Sequence, residues 1–127
     1  MTGLEDFKAI YAEAHKAGMA AGDAETPTPM LVEQHENPLD DESPLQKVWK
    51  VPQGVCGFAW IIVRPGNCGF ARWCRKNKGT GKAYYGGEQI WVGEFGQSYD
   101  KKMAYASAFA SVLRHHDINA HSFGRFD

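Results

Sequence analysis

Apolar residues near the start of the chain have the spacing of one face of a helix. From Leu4 to about Ala21 they recur every three or four residues. Thr2 and Glu5 have the spacing of a capping box at the start of such a helix. We therefore predict an N-terminal helix over residues 1–22.

The next segment, residues 23–54, alternates prolines with acidic residues and a few apolar residues. Each proline lacks a backbone N–H donor and disfavours helix in the residue before it. We therefore expect an extended, acidic, proline-rich arm that packs on the rest of the domain in places. Its prolines are Pro27, Pro29, Pro38, Pro44 and Pro52.

Strand patterns begin after the arm. Residues 55–63 are mostly apolar or β-favouring, and Arg64-Pro65-Gly66-Asn67 has the proline and glycine of a tight turn. We predict a β-hairpin whose second strand covers residues 68–75, with Phe58 facing Trp73. A three-residue loop would shift this register by one position. Residues 83–95 read as a third strand, interrupted by a bulge at Gly86-Gly87.

The C-terminal part predicts a helix and a short strand. Ser98 can cap a helix from Tyr99 to about His115. Residues 120–126 alternate in polarity and read as a last strand. Residues 55–127 then form a β-meander plus a helix, so the predicted fold is a single α+β domain. It has a small antiparallel sheet of three to four strands, on which an N-terminal and a C-terminal helix pack.

Charge is unevenly distributed along the chain. The 127 residues include 14 Lys and Arg and 15 Asp and Glu, which sum to a net charge of −1. Residues 1–54 hold four basic and ten acidic residues, a net charge of −6. The remaining residues hold ten basic and five acidic residues, a net charge of +5. Near-neutrality therefore does not exclude a charged partner.

Enzyme signatures are weak. The end of a phosphate-binding loop is similar to Gly79-Thr80-Gly81-Lys82. However, Lys76 stands where the motif requires its first glycine, and Ala83 stands where it requires Ser or Thr. Cys74 is flanked by cations that favour a thiolate, but strand cysteines are usually buried and inert. We expect no cofactor and no metal. The cysteine and histidine spacing does not match a zinc site: Cys56, Cys68, Cys74, His115, His116 and His121.

A basic run interleaved with aromatic residues is the strongest functional feature. Cations neutralise phosphates and exposed rings stack on bases, so this mixture suits single-stranded nucleic acid or a nucleotide. A sheet with buried aromatics beside a solvated lysine loop would give the same pattern. We expect a non-enzymatic binding protein for a phosphate-bearing ligand. Its candidate phosphate-binding residues are Arg72, Arg75, Lys76, Lys78, Lys82, Lys101 and Lys102, and its candidate stacking residues are Trp73, Tyr84 and Tyr85.

A segment of about 20 residues resembles the last helix of double-stranded RNA-binding domains. It is carried by Gly96, Ser98, Lys101, Lys102, Ala104, Ala108 and Leu113. The resemblance implies the order helix, three strands, helix. It also implies that Lys101 and Lys102 grip phosphates across the RNA groove. Tyr99-Asp100 and the long arm depart from the family pattern.

The acidic arm supports a second hypothesis. Its carboxylates can mask the basic part of the same or a second molecule, or dock a basic surface on another protein. The chain would then be a small adaptor or inhibitor of the kind that phages encode. A homo-oligomer remains open. No apolar run spans a bilayer and no signal peptide is evident, so we expect a cytoplasmic protein without a membrane partner. The acidic residues of the arm that would make the masking or docking contacts are Glu33, Glu36, Asp40, Asp41 and Glu42.

Overall fold

The computed structural model describes residues 4–35, 45–51 and 54–127. In that part of the chain it contains three helices and six strands, and the α+β prediction is confirmed. The elements are α1 (Leu4–Ala24), β1 (Met30–His35), β2 (Leu45–Val51), β3 (Gly57–Val63), α2 (Gly69–Lys78), β4 (Gly81–Lys82), β5 (Glu88–Trp91), α3 (Tyr99–His115) and β6 (Ala120–Phe126).

The main sheet is antiparallel and has the strand order β4-β5-β3-β6. Strand β3 lies between β5 and β6, and α2 and α3 belong to the connections that lead to those neighbours. Side chains alternate along a strand, so each strand presents one set of residues to each face. On β3, Ala59, Ile61 and Val63 have no exposed surface and form the inner set.

The helices pack on the inner face of the sheet. Helix α3 contacts β3 and β6, and α1 packs along α3. Tyr11 of α1 contacts both other helices: its ring lies 6.5 Å from that of Phe70 and 5.2 Å from that of Phe109. These residues join Ile61 and Leu113 in one core. The opposite, outer face of the sheet therefore carries the residues that this core does not use.

The predicted second hairpin strand, residues 68–75, is wrong. These residues enter helix α2, which ends at Gly79 in the left-handed conformation, with φ of 66°. The spacing of the buried side chains explains this outcome, because positions i, i+1, i+3 and i+4 share one face of a helix. The buried residues of α2 are Phe70, Ala71, Trp73 and Cys74.

The predicted third strand is mostly wrong as well. Only residues 88–91 are a strand, and a tight turn over residues 83–87 joins them to the two-residue strand β4. Gly86 and Gly87 form this turn with φ of 97° and 92°, which favour glycine. The sheet is thus not a meander.

The arm contains regular structure. Strands β1 and β2 pair antiparallel, from Met30 opposite Val51 to His35 opposite Leu45, and form a separate two-stranded sheet. The expectation of an extended segment is compatible with these strands. The predicted capping residue Thr2 and four of the acidic residues lie outside the described part of the chain: Glu36, Asp40, Asp41 and Glu42.

The C-terminal predictions are confirmed. Helix α3 begins after Ser98, whose hydroxyl accepts the Lys101 backbone N–H at 3.3 Å. Strand β6 covers residues 120–126, as predicted. Helix α1 continues to Ala24, two residues beyond its predicted end. In the part of the chain that the structure describes, no helix combines the length and apolar character needed to cross a bilayer.

Candidate functional site: an open aromatic sheet face

Three aromatic side chains form a row across the outer face of the sheet. The pairing sets Trp60 of β3 opposite Trp91 of β5 on one side and opposite Phe123 of β6 on the other. The rings of Trp60 and Trp91 lie 5.2 Å apart. Trp91 is 55% exposed and Phe123 is 40% exposed. Large rings on this face are thus in contact with solvent.

The β4–β5 turn adds two tyrosines beside this row. Tyr84 and Tyr85 are 92% and 88% exposed, and their rings meet edge to face at 4.8 Å. The turn and the aromatic row enclose an open concavity of about 460 Å³. We call it the aromatic concavity. Its lining residues are Trp60, Ile62, Arg64, Ala83, Tyr84, Tyr85, Gln89, Trp91, Phe123 and Arg125.

The described residues that line the aromatic concavity carry a positive charge. They include Arg64 and Arg125 and no acidic residue. The guanidinium of Arg125 lies 5.3 Å from the ring centroid of Phe58, a cation–π arrangement on the same face. The concavity therefore combines ring surfaces with cations.

Glu88 of β5 lies on the other face of the sheet and has no exposed surface. Its Oε1 accepts hydrogen bonds from Arg75 Nη2 at 2.6 Å and Nε at 3.2 Å. Its Oε2 accepts a hydrogen bond from the Thr80 hydroxyl at 2.6 Å. This acid therefore ties α2 and the residue before β4 to β5, away from the aromatic concavity.

The predicted basic residues of α2 do not share the aromatic face. They lie on the exposed side of a helix that packs on the inner face of the sheet. Arg75 is paired with Glu88. The ammonium of Lys78 lies 4.7 Å from the ring centroid of Tyr11. Arg72 and Lys76 are exposed on the same helix, and Lys82 is exposed on β4.

Trp73 is only 8% exposed, so the prediction of an exposed stacking ring at this position is wrong. The ring lies against Tyr11 at 5.7 Å and against Phe70 at 6.1 Å. The structure thus brings Tyr84 and Tyr85 together and separates both from Trp73. The helical period of α2 turns Trp73 into the core, whereas a strand would have left its face open.

The lysines at the start of α3 both make contacts within the protein. Lys102 is 8% exposed, and its Nζ lies 5.7 Å from the ring centroid of Phe58. Lys101 donates through Nζ to the backbone oxygen of Gly22 at 3.0 Å. The order implied by the resemblance to double-stranded RNA-binding domains is also wrong, because α2 intervenes between β3 and the next strands.

The candidate nucleophile is not activated. Burial, together with the nearby Glu88 carboxylate, raises the pKa of the Cys74 thiol to about 12. The segment Gly79-Thr80-Gly81-Lys82 also differs from a phosphate-binding loop, because Gly79 ends helix α2 and Gly81–Lys82 is strand β4 rather than the start of a helix. The described residues contain no group of three or more metal-binding side chains.

Sequence reasoning missed the central residues of this face. Trp60, Trp91, Phe123, Arg64 and Arg125 were not among the candidate site residues. The available signal was the alternation of side chains along β3 and β6, which puts Trp60 on one face of β3, and Phe123 and Arg125 together on β6. That signal identifies a face, but it does not show that the face stays uncovered.

Fold and site together define a small α+β protein with helices on one face of its main sheet and exposed aromatic rings on the other. Comparison of the chain with protein-family models, curated proteins and solved structures finds no match.

Proposed function

We propose that the protein binds single-stranded nucleic acid on the outer face of its main sheet. The observation that carries this proposal is the row formed by Trp91, Trp60 and Phe123, with Tyr84 and Tyr85 beside it. Base stacking on an aromatic side chain contributes about 1–3 kcal/mol per base. An open antiparallel sheet face with such rings is an arrangement that single-stranded bases can use.

The charge of this face supports the same ligand. Arg64 and Arg125 line the aromatic concavity, and none of its described lining residues is acidic. They are available to neutralise phosphates of a strand whose bases contact the rings. Guanidinium groups also stack on bases. The proposal thus uses both ring and charge chemistry of one surface.

A single strand fits this surface better than a duplex. In a duplex the base faces are already stacked on one another, so protein rings reach them only after unstacking. In a single strand the base faces are accessible. The rings here line a shallow concavity on a sheet, which suits accessible base faces.

Binding is measured by fluorescence anisotropy of labelled single-stranded RNA and DNA of about 12 nucleotides, a length in the usual range of such sites. The wild-type protein should bind at low salt and less tightly at moderate salt. Trp91→Ala should lower the affinity about 5- to 100-fold, because one stacking ring is lost.

Phe126→Ala is the matched control. Phe126 is 66% exposed but packs against Tyr99 of α3 at 4.5 Å, on the helix side of β6. Its removal should leave the affinity within about twofold of wild type if stacking takes place on the outer face. The proposal is wrong if the wild-type protein does not bind at low salt, or if Trp91→Ala and Phe126→Ala lower the affinity equally.

A further inference from the structure

A second, smaller concavity adjoins the aromatic one at the edge of the sheet. Its volume is about 290 Å³, and both concavities are lined by Ala83. Its walls are the loop between β3 and α2, the last turns of α2, and the β4–β5 turn. The lining residues are Gly66, Asn67, Arg75, Lys82, Ala83, Gly86 and Gly87.

Two glycines bring these walls together. A Cβ atom at Gly66 would lie 3.1 Å from the backbone carbon of Gly87. A Cβ atom at Gly87 would lie 2.7 Å from Ile62 Cγ2 and 2.9 Å from Arg64 Cγ. Larger residues would therefore force the loop and the turn apart. The close approach of two backbone segments shapes this concavity.

Arg75 is held in place at one side of it. Its Nε and Nη2 donate to the Glu88 carboxylate, and Nη2 also approaches the Gly66 oxygen at 3.4 Å. Within the described residues, Nη1 makes no hydrogen bond. Its side chain is 42% exposed. A guanidinium fixed along one edge keeps its remaining donors oriented for an anion.

Lys82 supplies a second cation. It lies opposite Glu88 in the β4–β5 pairing and is exposed. The Glu88 carboxylate has no exposed surface and already accepts hydrogen bonds on both oxygens. Among the described residues, Arg75 and Lys82 thus outnumber the one buried acid beside this concavity, which leaves a net positive charge for an incoming ligand.

We propose that this second concavity binds one backbone phosphate of the strand whose bases stack in the aromatic concavity. The inference rests on the proposed function and adds a phosphate position to it. Lys82 and the free edge of Arg75 are the donors. Because Ala83 belongs to both linings, a strand leaving the aromatic rings over the β4–β5 turn reaches these donors directly.

The test compares Lys82→Gln with Lys76→Gln on a single-stranded oligonucleotide of about 12 nucleotides. Lys76 is an exposed lysine on α2 that lines neither concavity. Lys82→Gln should weaken binding about threefold or more at low salt. It should also reduce the slope of log affinity against log salt by about 0.7, the value for one phosphate contact on a single strand. Lys76→Gln should leave both quantities near the wild-type values.

A second probe isolates the phosphate. On an oligonucleotide of the same sequence with uncharged methylphosphonate linkages, Lys82→Gln and the wild type should bind alike. If the two lysine variants behave alike on the charged strand while Trp91→Ala still weakens binding, the phosphate position is wrong and the proposed function stands. If the wild-type protein binds neither strand, the proposed function fails and this inference fails with it.

Discussion

The Cys74 thiol has no exposed surface, and burial raises its pKa to about 12. Arg72, Arg75 and Lys76 flank it along the chain and would favour a thiolate if they lay beside the sulfur, although the sequence already favours a buried, inert thiol. In a helix, however, those cations lie on the exposed side of α2 while Cys74 turns into the core. Closeness in sequence therefore did not predict closeness in space, and desolvation determined the state of the thiol.

Alkylation of the native protein should distinguish its three cysteines. The thiolate is the reactive form, so a thiol with a pKa of about 12 should stay unmodified at a pH of about 8. Iodoacetamide treatment followed by mass spectrometry should show modification of exposed Cys56 first and of Cys74 only after unfolding. Modification of native Cys74 at the rate of a free thiol would contradict this.

Among the elements, α2 is the one whose local sequence favours two different structures. The apolar residues from Phe70 to Cys74 suit a helix by their spacing, and the preceding Pro65-Gly66 turn suits a hairpin. The local pattern does not show that Phe70 packs against Tyr11 of α1, and this core contact stabilises the helix. Helix α3 was predicted correctly because its Ser98 cap and its apolar stripe favour the same structure.

The contact between α2 and β5 should depend on the Glu88 carboxylate. Glu88→Gln removes the charge that orders Arg75 and leaves buried hydrogen-bond partners mismatched. We expect a loss of about 2 kcal/mol in the free energy of unfolding, measured by urea denaturation. Glu94→Gln makes the same substitution at a partly exposed acid and should change stability by less than about 0.5 kcal/mol. Equal effects would show that Glu88 contributes no specific contact.

For the molecule as a whole, the charge separation along the sequence does not become one basic surface. The fold places Arg72 and Lys76 on α2 and Arg64 and Arg125 beside the outer aromatic face. The sequence could predict the α+β class and the helices near the two ends of the chain, and it identified Tyr84 and Tyr85 as candidates without deciding whether they are exposed. It could not predict which rings remain exposed, because that depends on which face of the sheet the helices cover.

The two basic surfaces yield a direct comparison of two exposed arginines. Arg64 lines the aromatic concavity, whereas Arg72 lies on α2 and lines neither concavity. Arg64→Ala should weaken binding of a single-stranded oligonucleotide at low salt about 3- to 10-fold and reduce its salt dependence, because a phosphate contact is lost. Arg72→Ala removes the same charge from the whole molecule, so it reports the effect of net charge alone. Anisotropy titrations at several salt concentrations measure the affinity and its salt dependence for each variant. A larger loss of affinity with Arg72→Ala than with Arg64→Ala would indicate that the ligand binds on α2. Only a ligand on that helix would be more sensitive to Arg72 than to Arg64.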